Sequence, residues 1–135
     1  SRHYEKFDCV LHTIPGVGKV LAAIILSEIG DIHRFASPGK LVAFTGIDPS
    51  IKQSGGFIGT HSHMSKRGSP YLRRAIWLVA FATSKYNPVL SAFYQKKRSE
   101  GKAHGTSLGA VSRKLLYTIF ALLKSGQAYD PNLAH

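Results

Sequence analysis

Ser69, Pro70, Tyr71, Leu72, Arg73, Arg74, Ala75, Ile76, Trp77, Leu78, Val79, Ala80, Phe81, Ala82, Thr83 and Ser84 form the stretch whose reading decides the fold. Leu72, Ile76, Val79, Ala80 and Thr83 recur at the three- and four-residue intervals that line one face of an α-helix. Trp77, Leu78 and Phe81 fill much of the remaining circumference, so the helix is predicted to be central and largely buried. Its start is marked by Ser69 as N-cap and by Pro70 at the first helical position, where a missing N–H forfeits no helical bond. Arg73 and Arg74 then occupy the first turn. Cations there oppose the helix dipole, by some tenths of a kcal/mol each, and they concentrate positive potential where an anion is best received. Two cheaply tolerated surface arginines are the plainer reading; with Lys66 and Arg67 just upstream, the pattern favours an anion site.

Immediately before this helix the apolar periodicity collapses. From Ser50 to His63, Gly55, Gly56 and Gly59 with Ile51, Phe57 and Ile58 suggest a short irregular β-hairpin or extended loop. Further back, Tyr4 to His12 reads as a short helix, followed by Thr13, Ile14, Pro15, Gly16, Val17, Gly18 and Lys19 and then the apolar run Val20 to Leu26. Two helices joined by a glycine hairpin have the pattern of a helix-hairpin-helix element, spanning residues 13–30 and ending at Gly30. Its glycines let a backbone approach closely, and the unpaired N–H groups at the new helix start can cradle a phosphate, so Gly16, Gly18 and Lys19 are candidate nucleic-acid contacts. An ordinary tight connection between packed helices explains the same residues. Asp31 to Ala36 form a connection, Ser37 and Pro38 launch a short helix through Phe44 to Gly46, and Asp48 with Pro49 mark a turn.

Downstream, Asn87 and Pro88 end the central helix and begin another through Leu90, Phe93 and Tyr94, which closes with Lys96, Lys97 and Arg98 before Gly101. Basic residues at a helix C-terminus are expected on dipole grounds alone. Thr106 or Ser107 is the expected cap of the last long helix, whose core stripe is Leu108, Val111, Leu115, Ile119 and Leu122. The expected fold is mainly α: one compact multi-helix domain over residues 1–135, with a serine-bearing loop at 50–68, a helical core at 69–124 and a polar, turn-rich tail at 125–135.

Length and charge narrow the function. A chain of 135 residues is the size of one domain and can bury a core without disulfides or metal. The single cysteine, Cys9, cannot form an internal disulfide and fits a reducing compartment. Apolar runs such as Ala75 to Ala82 are too short to cross a bilayer, so a cytoplasmic protein without a membrane partner is expected. The opening residue, Ser1, suggests a domain excised from a longer protein. The formal net charge is +11, and between Pro49 and Ser99 there is no Asp or Glu, while nine lysines and arginines fall there. A half of one sign attracts a polyanion, and nucleic acid is the expected partner.

Within that half stands Ser54, between Gln53 and the glycines Gly55 and Gly56. It is a candidate nucleophile toward a DNA phosphodiester. A free hydroxyl is a poor nucleophile at neutral pH and needs activation. The only nearby acid is Asp48, so a serine, histidine and aspartate relay is not evident. Electrostatic activation is the alternative, with Lys66, Arg67, Arg73 and Arg74 neutralising the phosphate and each well-placed donor worth roughly 3 kcal/mol. On residues alone, Ser54 also reads as a turn-former, and His61 or His63 as base or bystander. Neither His61 with His63 nor Cys9 with His12 has an evident third and fourth ligand, so no metal site is expected.

The order Ile14-Pro-Gly-Val-Gly18, Ser37-Pro-Gly-Lys-Leu-Val-Ala-Phe-Thr-Gly-Ile-Asp-Pro-Ser50, Gln53-Ser-Gly-Gly56 with Gly59, and Ser65-Lys-Arg-Gly-Ser-Pro-Tyr-Leu-Arg-Arg74 closely resembles the C-terminal domain of insertion-sequence transposases of the DEDD class. These are RNA-guided serine recombinases with an N-terminal RuvC-like half. The resemblance covers nearly the whole chain, including Gly101 to His104 and Tyr129 to Asn132. It implies that Ser54 is the nucleophile of a covalent phosphoserine link to DNA; the residues themselves add Gln53, Gly55 and Gly59 as shaping its loop and Lys66, Arg67, Arg73 and Arg74 as holding phosphates. It also implies Mg2+ on an acidic tetrad in the RuvC-like half, which this chain lacks, a structured guide RNA, a homo-oligomer, and a bacterial or archaeal nucleoid-associated setting. A non-catalytic helix-hairpin-helix module that binds DNA or RNA is the alternative.

Overall fold

The computed structural model describes residues 10–47 and 69–131. Residues 10–12 close a first helical segment, and five α-helices follow. These are α1 (Lys19–Ile29), α2 (Pro38–Thr45), α3 (Pro70–Tyr86), α4 (Pro88–Ser99) and α5 (His104–Ser125), with a 3-10 turn at Ile32–Arg34 between α1 and α2. The mainly α reading holds. No strand occurs among the described residues, and the β-hairpin expected over 50–63 lies outside them.

Local chemistry explains most boundaries. The Ser37 hydroxyl accepts from Lys40 N at 3.3 Å, that of Ser69 from Leu72 N at 3.1 Å, and the Asn87 amide oxygen from Val89 N and Leu90 N at 3.0 and 3.2 Å. Each cap precedes a proline in the first turn and satisfies N–H groups that have no helical acceptor. At the other ends Gly46 and Gly126 close α2 and α5 in the left-handed conformation. The start of α5 differs from expectation. It begins at His104, with Ala103 as an N-cap that makes no side-chain bond, and Ser107 is fully buried inside the helix. The Tyr94 hydroxyl and His104 Nδ1 lie 2.7 Å apart, tying α4 to the first turn of α5.

The core is built around α3 and α5. Leu72, Ala75, Ile76, Val79 and Ala80 of α3 pack with Val111, Leu115, Ile119 and Leu122 of α5, and Ala22, Ile25 and Ile29 of α1 join the same cluster. Leu108 is buried as well, so the expected α5 stripe is complete. The expectation that α3 is largely buried all round needs correcting. Leu78 and Phe81 of α3 are 45 % and 44 % exposed, and on α1 Val20 is 74 % exposed. Each helix buries the face that its neighbours reach, and an apolar residue outside that arc remains in water however hydrophobic its helix is. The tail is partly docked: Tyr129 packs against the core and its N–H donates to the Thr13 hydroxyl at 2.8 Å.

Two long-range contacts orient α1 against α3. Gly16 and Pro15, just before α1, meet Thr83 and Asn87 at the C-terminal end of α3. Glu28, in the last turn of α1, meets Ser69 at the N-terminal end. The two helices therefore run antiparallel, and the ends of α3 lie about 25 Å apart at 1.5 Å rise per residue.

Candidate nucleic-acid interface

Gln53, Ser54, Gly55, Gly59, Lys66 and Arg67 lie outside the described residues, as do His61, His63 and Cys9. What the structure does place are the two anchors of the segment that carries them. The chain departs at Ile47, which is buried and whose N–H donates to the Thr45 hydroxyl at 3.2 Å. It rejoins at Ser69. Between these anchors sits Arg73: a Cβ built on Gly46 would lie 3.2 Å from Arg73 Nη1. Departure and return are thus gathered at the N-terminal end of α3, beside a guanidinium.

That end has a specific electrostatic construction. Ser69 is a two-way hinge post, its hydroxyl accepting from Leu72 N and donating to the Glu28 carboxylate. The first turn of α3 contains no acidic residue, and Arg73 and Arg74 are its half-buried and exposed cations. The negative group that the N-terminus favours comes from α1 instead, through Glu28. Sequence reading missed Glu28 because the bond joins residues 41 positions apart and no local pattern announces it. With one carboxylate beside two guanidinium groups, the site retains net positive charge for an incoming anion.

Gly16, Gly18 and Lys19 are at the opposite end of α3, so the structure separates them from Arg73 and Arg74. The two glycines have different surroundings. Gly16 adopts φ +99°, and a Cβ there would meet Thr83 Cγ2 at 2.9 Å, Thr83 Cα at 3.1 Å and Thr83 N at 3.2 Å. Its small size is demanded by helix packing. Gly18, the N-cap of α1, makes no side-chain cap bond and has nothing within 4 Å of its Cβ position. Lys19 follows at the exposed helix start. A backbone phosphate can reach Gly18 and Lys19, whereas Gly16 is committed to α3.

Elsewhere Arg34 is occupied structurally: its Nε donates to Ile29 O at 3.0 Å and its guanidinium lies 4.7 Å from the ring centroids of both Phe35 and Phe44. Asp31 caps the 3-10 turn, and its carboxyl is held below the ordinary carboxylate value, first by the His33 backbone N–H and then by the His33 ring. Among the described residues no helix is long and apolar enough to cross a membrane.

The sequence pattern of the family described as "Transposase IS116/IS110/IS902 family" matches residues 8–95. Over 124 residues the chain is 33 % identical to the "Insertion element IS110 uncharacterized 43.6 kDa protein" of Streptomyces coelicolor, covering 92 % of this chain and 30 % of that protein. It is 31 % identical over 131 residues to the "Insertion element IS900 uncharacterized 42 kDa protein" of Mycobacterium paratuberculosis, covering 96 % and 32 %. It is also 31 % identical over 126 residues to the "Pilin gene-inverting protein" of Moraxella bovis, covering 92 % and 39 %. The chain spans roughly a third of the length of these curated relatives. With the family pattern running from before the glycine hairpin through α3 and into α4, the chain belongs to the IS116/IS110/IS902 transposase family.

Proposed function

We propose that this chain is the serine-bearing, C-terminal part of a DNA recombinase, in which Ser54 attacks a DNA phosphodiester. The Ser54 oxygen forms a bond to phosphorus, the bond from phosphorus to one bridging deoxyribose oxygen breaks, and that oxygen leaves with a proton. The product is a phosphoserine link that preserves the energy of the broken diester for rejoining. Lys66, Arg67, Arg73 and Arg74 neutralise the phosphate and its developing charge. Gln53, Gly55 and Gly59 shape the loop, and Gly18 and Lys19 form a helix-hairpin-helix contact to nucleic-acid backbone, with Gly16 packing the hairpin against α3.

The observation that best supports this reading is the gathering of both anchors of the Ser54 segment at the cationic end of α3. Both anchors stand beside Arg73, at the end of α3 best suited to a phosphate. On the same reading, magnesium supplies electrophilic assistance from an acidic tetrad on a RuvC-like half outside this chain. Among the described residues no group of three or more His, Cys, Asp or Glu comes together to hold a metal ion. A structured guide RNA supplies target choice, and the intact protein works as a homo-oligomer on the bacterial or archaeal nucleoid, in the cytoplasm.

The open backbone at Gly18 favours a second reading, a helix-hairpin-helix module that binds nucleic acid and makes no bond to it. Trapping separates the two. The intact protein, incubated with its element's DNA, RNA and magnesium, is expected to give a denaturation-resistant adduct that Ser54→Ala abolishes while binding persists. An adduct that survives Ser54→Ala removes Ser54 from the nucleophile's role, and binding without any adduct leaves the module.

A further inference from the structure

The family pattern ends at residue 95, just before the most basic run of the described chain. We infer that the tip of the α4–α5 hairpin is a second grip on duplex DNA, one that holds the phosphate backbone without reading sequence. The inference rests on the DNA-directed reading above and needs no role for Ser54.

Lys96, Lys97 and Arg98 close α4, where the helix dipole alone accounts for cations. The dipole does not account for the rest. Lys102 stands just before the start of α5, where a cation is disfavoured, and Lys114 lies mid-helix, where the dipole offers nothing. Yet Lys114 is brought to the same patch. Its ammonium lies 5.2 Å from the centroid of Phe93, and the Lys97 ammonium lies 5.3 Å from the same ring. Two like charges from separate helices therefore share one aromatic ring. The ring offsets part of their repulsion, and a phosphate bound near them offsets more.

Little else there neutralises this charge. Glu100 is the only carboxylate in the sequence between Asp48 and Asp130. It pairs with Lys97 at 3.6 Å, and its side chain is 40 % exposed, so a phosphate can take its place. The bond between Tyr94 and His104 holds the two helices together and keeps the cations assembled. Ammonium groups on flexible stems meet phosphates as point charges and do not distinguish bases, which argues for backbone contact. The run Lys96 to His104 carries no large apolar side chain to enter a lipid surface.

This patch is remote from the anchors of the Ser54 segment. The last turn of α5 packs beside the 3-10 turn that follows Glu28: Leu123 lines a shallow depression with Asp31 and Ile32, and Lys124 acts on the Asp31 carboxyl. Along the helix, the first turn of α5 is about 30 Å from there and Lys114 about 15 Å. DNA bound at the tip is thus held well away from the α3 N-terminus.

The test is binding of the intact protein to a 30-base-pair duplex of arbitrary sequence, about that length being chosen to exceed the footprint, followed between about 50 and 200 mM salt. Lys102→Gln combined with Lys114→Gln is expected to weaken binding about tenfold near 100 mM and to reduce the log-log salt slope by about 1.8, two phosphates' worth. Lys40→Gln with Lys124→Gln makes the same charge change elsewhere and is expected to leave the slope near its original value. Equal effects of the two pairs, or an unchanged slope for the first, overturn the proposal. Thermal melting verifies folding, and Arg98→Gln with Lys102→Gln, both at the exposed tip, repeats the test if the first pair melts early. An RNA duplex of equal length runs in parallel; a loss confined to RNA also overturns the assignment to DNA. Because no strand is cut in this measurement, a failed adduct assay and a failed grip are read separately.

Discussion

Gly16 and Gly46 both adopt positive φ and both lie against α3, one at each end, but they meet different kinds of atom. Gly16 faces the Cα and N of Thr83 as well as its methyl, in a residue with no exposed surface. Gly46 faces Nη1 of Arg73, the far end of a flexible side chain. A backbone cannot retreat from an added methyl group, whereas a guanidinium can. The glycine hairpin end of α3 is therefore a rigid joint of the fold. The Arg73 end is an adjustable arrangement in which a cation's position depends on what its neighbours allow.

The largest expected effect probes the rigid end. Gly16→Ala combines a left-handed backbone with a Cβ pressed into α3, and should destabilise the protein by about 3 kcal/mol, read from denaturant unfolding. A loss under about 1 kcal/mol would mean that α1 and α3 can separate there without consequence, and the contrast between the two ends would disappear.

Gly46→Ala probes the adjustable end. The strained φ of +76° should lower stability by about 1 to 2 kcal/mol, with the guanidinium moving aside at little further cost. On the proposed function this displacement weakens DNA binding at the α3 N-terminus, measurable as a reduced salt slope. If Gly46→Ala proves as damaging to folding as Gly16→Ala, then Arg73 is held as firmly as backbone.

Ser69→Ala removes the N-cap of α3 and the partner of Glu28 together, and is expected to lower stability by about 1 to 2 kcal/mol. Because Ser69 is where the Ser54 segment rejoins the fold, adduct formation by the intact protein should fall more steeply than stability does. Equal sensitivity of the two readouts would reduce Ser69 to a helix cap.

The smallest effect concerns Asp31. Its carboxyl has a lowered folded-state value, so its contribution to stability is present above the unfolded carboxylate value, near 3.8, and is lost as pH falls through the lowered folded value. Asp31→Asn should flatten the stability profile slightly on the acid side of that value and leave neutral pH nearly unchanged. Asp31 is exposed, so the effect is small, and urea midpoints taken from neutral pH down into that acid window will show it.

Much of the fold was legible because its determinants are local. Ser37, Ser69 and Asn87 cap helices by bonds to N–H groups two or three residues on, which a sequence displays directly. The α5 stripe was legible for the same reason, since its spacing is set by the helix repeat. The start of α5 was not, because Ala103 stands at the N-cap with no side-chain acceptor, while Ser107, a residue type that caps helices, is buried inside the helix. Of the candidate site, Arg73 and Arg74 could be read from their helical position, while Glu28 could not.

By itself the sequence determined where α2, α3 and α4 begin, which residues cap them, and that one long stretch of the chain is overwhelmingly positive, all consequences of interactions within about one helical turn or of composition. Tertiary structure alone decided that Gly16 is bound to Thr83, that Leu78, Phe81 and Val20 stay exposed, and that Lys97 and Lys114 share the Phe93 ring. Those outcomes depend on how helices cross, and the crossing is set by the packed core as a whole. No single stretch of the chain contains that information.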